Sequence, residues 1–377
     1  MKGPATVKHP AEDLEGRTLP DGFVVQERLS TTEDHTGGSF SVCYLATKEG
    51  QDLFVKATDL TFYGTDSEDL AVRLERVLSI YNFEKLLLEI ARLHAMSRIV
   101  SVVAAGQIPV DVGGLPIPVF YLVFERADGN LRERLMEDAP MEPIDRLRAL
   151  RQVATGLNQL HTRGIAHQDL KPSNVVNYGK HGDGLDNKIT DLGRGSHREH
   201  RAIHDRAACA GDKRYAPLEL LYEQPASGFD RRRLGADAYL LGSLIAQVFS
   251  GVTITQAVLA KLPETHQPKR WGDGYPQLLP RLREAFDAVV LELRASWPYP
   301  SEDPKIAEQL DLAIRQLCDP DPSLRGHPGA AASVNPLDMQ RYISVLDMLV
   351  HRASLAERTK ARNLAALIAA QEKAASA

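Results

Sequence analysis

Two short stretches hold the residue types that phosphate chemistry needs. The first is His167-Gln168-Asp169-Leu170-Lys171-Pro172-Ser173-Asn174, which sets an acid, a base and an amide close together before the apolar pair Val175-Val176. The second, Ile189-Thr190-Asp191-Leu192-Gly193, is an apolar entry into an acid, with a glycine that permits a sharp turn. Moving a phosphoryl group asks for in-line positioning and charge neutralisation more than for covalent help. A carboxylate accepts or orients the hydroxyl proton, hard oxygen ligands hold Mg²⁺, and cations cover the phosphates. Asp169, Asn174, Asp191, Lys171 and Lys56 are the right types for these roles. Taken singly, each is an ordinary turn or strand residue, because Asp and Asn are common in turns. Their joint order and spacing carry the reading.

The surrounding pattern supplies elements to hold them. Short β-type runs (Phe23-Val24-Val25, Val42-Cys43-Tyr44-Leu45, Leu53-Phe54-Val55, Ile99 to Val103 and Val119 to Phe124) fill residues 23–125. One helical stretch interrupts them, from about Leu70 to Met96, with Leu86, Ile90 and Leu93 at helical spacing. After Arg126 the pattern turns helical: Leu147, Leu150, Val153, Leu157 and Leu160 mark one amphipathic helix, and Ala238 to Phe249 and Ile306 to Leu317 mark two more. Leu337 to Ala377 is rich in Ala, Leu and charge, has no proline, and reads as one long helix or two.

Composition narrows the classes. The chain has 377 residues, 43% hydrophobic and 25% charged, which suffices for a substantial core. A net charge of −5 gives no reason to expect nucleic-acid binding. Cys43, Cys209 and Cys318 lie far apart, fit no zinc or disulfide spacing, and read as reduced thiols. The polar N-terminus, with Pro4, Pro10 and Pro20, lacks the apolar core of a secretory signal, and no apolar run reaches the roughly 18 residues of a membrane span. These features lead to the expectation of a cytoplasmic protein with no membrane or nucleic-acid partner.

The two chemical stretches resemble the catalytic loop and the D-F-G motif of eukaryotic-type serine/threonine protein kinases, with Leu192 in place of the phenylalanine. The resemblance covers about residues 23–328, and other landmarks fall in register with it. Gly37-Gly38-Ser39-Phe40-Ser41 resembles a glycine-rich phosphate loop, and Lys56 resembles the strand lysine that contacts the α- and β-phosphates. Glu89 resembles the helix glutamate that pairs with this lysine, with Glu84 as the second candidate. Leu122 to Ala127 resembles the hinge, with Phe124 as gatekeeper. The resemblance thus implies ATP contacts from Lys56, Glu89, Gly37, Gly38, Glu125, Ala127 and Val176, catalytic roles for Asp169 and Lys171, and Mg²⁺ ligation by Asn174 and Asp191. Lys171 is the residue that serine/threonine-specific members carry. Glu219, in Ala216-Pro217-Leu218-Glu219, and Arg325 resemble the glutamate and arginine that pair at the end of the family's activation segment, which implies a structural ion pair.

Several positions depart from the family pattern. The glycine loop is degenerate, with Ser30 or Thr36 at the first glycine position and Ser41 at the third. Phe54 stands where a small alanine usually lies against the adenine. Gln168 replaces the arginine that receives an activation-segment phosphate, making this a non-RD variant, and Ser196 is the only hydroxyl between Gly193 and Gly211. Activity independent of phosphorylation in that segment is expected.

The resemblance implies an α+β, bilobal protein kinase-like fold with a small β-rich N-lobe and a larger, mainly helical C-lobe. Expected boundaries are a flexible segment at 1–21, the N-lobe at 22–125, the C-lobe at 126–336 and a helical extension at 337–377. The expected function is transfer of the γ-phosphate of ATP, with Mg²⁺, to Ser or Thr of a protein substrate. A pseudokinase serving as a nucleotide-binding or scaffolding module is the alternative, and the C-terminal helix is a candidate for docking in cis or for self-association.

Overall fold

The structure is a computed structural model that describes residues 9–29, 41–58, 69–137, 141–179, 185–297, 303–330, 333 and 335–375. It contains two compact units, residues 1–133 with 159–210 and residues 134–158 with 211–377.

In the first unit, strands β1 (Val24–Arg28), β2 (Ser41–Lys48) and β3 (Gln51–Thr58) precede helix α1 (Leu70–Leu93), and β4 (Val102–Val112) and β5 (Leu115–Glu125) follow it. They form one antiparallel sheet in the order β1-β2-β3-β5-β4. Glu49 and Gly50, both at positive φ (53° and 80°), make the two-residue turn between β2 and β3. That turn type matches the twist of the strands and fixes their register. Strand alternation then sends Val42, Tyr44, Ala46, Leu53, Val55, Ala57, Tyr121 and Val123 into one core face. Cys43, Leu45, Phe54, Lys56, Leu122 and Phe124 are left for the opposite face.

The core face is covered by the segment expected to be a flexible lead-in. Ala11, Leu14 and Leu19 are almost fully buried in this core with Phe23. The Tyr44 hydroxyl donates to the Ala11 carbonyl at 2.5 Å, while Gly16 N–H donates to Val25 O and Val25 N–H to Arg17 O. The polar, proline-bearing composition hides three apolar anchors, and backbone bonds to β1 hold the segment in place. The expected flexibility is therefore corrected for residues 9–21; residues 1–8 lie outside the described part.

Helix α1 begins at Asp69, whose carboxylate accepts from Ala71 N–H at 2.9 Å. Its buried stripe is Val77, Tyr81, Glu84, Leu88 and Ala91, and Tyr81 packs on Phe120 of β5 with ring centroids 5.1 Å apart. The stripe expected from spacing was different: Leu93 is 70% exposed. The helix is apolar on several sides between Leu86 and Leu93, so periodicity alone does not choose the face.

The rest of the first unit is short. Strands β6 (Gly129–Asn130), β8 (Val175–Tyr178) and β9 (Asp186–Ile189) form a small sheet in the order β6-β8-β9, while β7 (Ile165–Ala166) pairs with β10 (Ser196–His197). Val100 N–H donates to Ile189 O and Ile189 N–H to Arg98 O. These bonds tie residues 165–197 into the first unit, so the compact units do not follow the expected boundary at 125/126.

The second unit is helical. Helix α2 (Leu131–Met136) enters it, and α3 (Pro143–His161) leaves it at Gln159. The others are α4 (Leu218–Leu221), α5 (Gly235–Ser250), α6 (Ile254–Lys261), α7 (Tyr275–Ser296), α8 (Pro304–Leu317) and α9 (Gln340–Ala375). Helix α5 is buried along almost its whole length. At Gly242 an added Cβ would stand 2.5 Å from Cys318 Sγ, so glycine permits α5 and the end of α8 to touch. Helix α9 docks in cis through Tyr342, Leu346, Leu349 and Ala353, and then leaves Leu355, Leu364 and Ile368 exposed. Among the described residues no single helix is long and apolar enough to cross a membrane.

Arg325 is buried and donates to both carboxylate oxygens of Glu219, at 2.6 and 2.5 Å, with Tyr239's ring 4.8 Å from its guanidinium. The expected pair is formed. Glu219→Ala would strand a buried guanidinium, a loss of about 3–5 kcal/mol. Thermal unfolding should shift down by roughly 10 °C, whereas an unchanged midpoint would show the pair to be dispensable.

Candidate active site

Alternation in β3 points Lys56 away from the core. Its Nζ lies 2.8 Å from Glu84 Oε1 and 2.8 Å from Asp191 Oδ1. Burial alone would favour neutral lysine, but the two carboxylates outweigh it and raise the Lys56 pKa above its ordinary range. Burial likewise opposes ionisation of Asp191, yet Lys56 prevails and lowers its pKa to about 2. Glu84 is moved upward, because burial and the nearby Asp191 charge exceed what the shared ammonium returns. The result is an ionised Asp191 beside a charged lysine.

Glu89, the first candidate for the lysine's partner, is not that residue. It is part-exposed and lies 3.8 Å from Lys85 on its own helix. Five residues beyond Glu84, it is turned to another side of α1 by the helical repeat of about 3.6 residues. Glu84 takes its place because it belongs to the buried stripe.

The loop around Asp191 is bent by the acid itself, which has φ 61° and ψ 70°. Gly193 serves a different need from the sharp turn expected of it. A Cβ there would be 3.1 Å from Glu84 Oε2 and 3.3 Å from Asp191 Oδ1, so glycine admits the close approach of these carboxylates.

His167 joins this loop to the one that carries Asp169. Fully buried, it accepts from Asp169 N–H at Nδ1 (3.2 Å), which leaves the Nε2 proton to donate to Thr190 O at 2.9 Å. Gln168 sits at φ 64°, and Asp169 follows with Oδ2 3.2 Å from Lys171 Nζ. Asn174 Nδ2 donates to Asp169 O at 2.8 Å and reaches Asp169 Oδ2 at 3.3 Å. Thr190 N–H donates to Asn174 O at 3.0 Å, one residue before Asp191. Backbone thus couples the amide and the carboxylate expected to take the metal.

Those two donors fit Mg²⁺. One ionised carboxylate and one amide oxygen are hard ligands, and this ion is usually held by one or two protein groups together with substrate phosphates. Among the described residues no group of three or more His, Cys, Asp or Glu forms a cage of its own. Glu125 ends β5, Ala127 lies two residues further on, and Val176 lies in β8 between Asn130 and Lys188. Gly37 and Gly38 lie outside the described residues. Phe54 shares the Lys56 face, flanked by Leu45 and by Phe124, whose ring is 6.4 Å away.

A family model described as the protein kinase domain matches residues 37–329. The chain belongs to that family. It is 25% identical over 212 residues to the serine/threonine-protein kinase PrkC of Bacillus subtilis, covering 54% of this chain and 30% of that protein. Human serine/threonine-protein kinase H1 is 34% identical over 125 residues, 32% of this chain and 29% of its own length. A sea-urchin (Strongylocentrotus purpuratus) dual serine/threonine and tyrosine protein kinase is 31% identical over 216 residues, 56% of this chain and 20% of its own length. The chain therefore spans less than a third of these relatives. The α+β organisation, sheet-bearing first and helical later, is that of a protein kinase-like fold.

The Glu84 assignment can be tested by nucleotide binding. Losing one charged hydrogen bond to Lys56 costs about 1.5–3 kcal/mol. Glu84→Ala should weaken Mg-ATP binding about ten- to hundredfold and Glu89→Ala should leave it unchanged, read from the melting-point rise across a nucleotide titration. Equal behaviour of the two variants would reverse the correction.

Proposed function

We propose that this kinase-family chain is an ATP- and Mg²⁺-dependent serine/threonine protein kinase. The observation that carries the reading is the assembled charge set: Lys56 joined to Glu84 and Asp191, with Asp169, Lys171 and Asn174 linked through His167 and Thr190. A chain that had lost catalysis would have no need to keep every one of these charges.

Each residue has a separate task. Lys56, held by Glu84, offers its ammonium to the α- and β-phosphates. Asp169 accepts the proton of the attacking hydroxyl, and the loop that carries it is fixed by the bond Asn174 donates to Asp169 O and the one Asp169 N–H donates to His167. Lys171, beside Asp169, is a point charge for the γ-phosphate. Asp191 and Asn174 would hold Mg²⁺, which when bound neutralises charge on the phosphate oxygens. Glu125 and Ala127 offer backbone, and Val176 an apolar surface, for the adenine. Lys171 and the names of the similar proteins support Ser and Thr as acceptors.

The deciding assay incubates wild type and Asp169→Ala with γ-labelled ATP, Mg²⁺ and a basic protein substrate. Wild type should place label on Ser or Thr, and the variant should be slower by about 10²–10⁴-fold, the usual worth of a general base. Equal labelling by both would refute the assignment, and label on neither would favour a nucleotide-binding module without transfer.

Phe54 should tune nucleotide affinity. Its ring stands on the face that carries Lys56, where the adenine would lie. Phe54→Ala is expected to lower KM for ATP severalfold with kcat changed by less than about twofold, the signature of a change in uniform binding. A raised KM would show that the ring holds the base rather than crowding it.

A further inference from the structure

The segment after Asp191 is held by a chain of side-chain bonds that starts beside the proposed base. Gln168 Nε2 donates to Ser196 Oγ at 2.6 Å and to Arg194 O at 3.1 Å. Ser196 Oγ in turn donates to Asp205 Oδ1 at 2.5 Å, and Asp205 Oδ2 accepts from Ala202 N–H at 2.7 Å. Ser196 is 1% exposed, so its hydroxyl is spent inside the fold.

The same segment is bonded to the loop before Asp169 and packs against α1. Ser196 and His197 pair with Ala166 and Ile165, and Arg198 N–H donates to Gly164 O at 2.8 Å. His204 Nε2 donates to Gly195 O at 2.7 Å, and its ring meets Phe83 edge-on, centroids 6.2 Å apart. Phe83 immediately precedes Glu84. Gly195 passes so close beneath α1 that a Cβ would lie 2.7 Å from Leu87 Cδ1. One largely buried network therefore connects residue 168, beside the proposed base, with the helix that supplies the lysine's partner.

We propose that Asp205, acting through Ser196 and Gln168, is a positioning residue that orders the segment after Asp191 without any covalent modification. A fixed carboxylate supplies the anionic anchor, a serine hydroxyl relays it, and a neutral amide receives it. The inference rests on the kinase reading only for its kinetic consequence; the ordering of the segment stands independently. It also assigns Ser196 as a structural hydroxyl and not as a phosphate acceptor.

The test uses the full chain with Asp205→Asn, which keeps shape but loses one of two acceptors, and with Ser196→Ala and Ser196→Asp. Amide hydrogen exchange across residues 195–205 reads order directly, independent of activity. Asp205→Asn and Ser196→Ala should each speed exchange at Gly195 and Arg198 at least tenfold, and the double variant should add little to either. Transfer assays should show kcat down at least tenfold with KM for ATP within about twofold, a split that general destabilisation would not give. Ser196→Asp should also lower kcat, because it sets a second carboxylate against Asp205. Activation by Ser196→Asp, loss of wild-type activity on phosphatase treatment, or unchanged exchange in Asp205→Asn would overturn the proposal. Should wild type transfer no phosphate, the kinase reading fails, and the exchange result still decides the role of Asp205.

Discussion

Everything at the site depends on one buried ammonium held between two carboxylates. Lys56 comes from β3, Glu84 from the middle of α1 and Asp191 from the loop after β9. Burying any of these charges alone would be strongly unfavourable, and mutual pairing removes the penalty only when all three elements are in place. The register of β3 is thus a chemical requirement as well as a structural one. A slip of one residue would turn Lys56 into the apolar face that Val55 and Ala57 now occupy. The left-handed turn at Glu49-Gly50 guards against that slip from a considerable distance along the chain.

The loops that meet this lysine carry their own strain. Gln168 and Asp191 both adopt left-handed backbone that residues with a Cβ seldom accept. Such conformations persist where surrounding bonds over-determine them. Here the bonds are visible: His167 spans from Asp169 N–H to Thr190 O, and Thr190 N–H returns to Asn174 O. The buried imidazole lets the two loops share one framework, so that Asp169, Asn174 and Asp191 are set together.

Much of this was legible in the sequence because local motifs report local geometry. The catalytic stretch, the acid before Gly193, the strand lysine and the helix at about 70–96 stood out, and the structure brings their charges together. The Glu219–Arg325 pair was also readable, since both ends lie in short motifs. Less legible were choices made by packing. Glu84 and Glu89 sit on one helix in an apolar neighbourhood, and only tertiary burial selects between them. Leu14 and Leu19 are isolated among polar residues, with no periodicity to betray their docking. Asp205 gave no signal, because its partner Ser196 is nine residues away across an irregular loop and the contact obeys no repeat.

The docked segment before β1 has a consequence for where this folding unit can be cut. The family match begins at residue 37, but β1 and the anchors Ala11, Leu14 and Leu19 lie before it. A chain started at that border would leave β2 as a bare sheet edge, with unpaired backbone donors and acceptors opposite Val24 to Arg28. It would also strip the buried Tyr44 hydroxyl of its bond to the Ala11 carbonyl. Unprotected edges of this kind recruit strands from other molecules. Protection of the β2 edge therefore resides in residues that lie outside the family match.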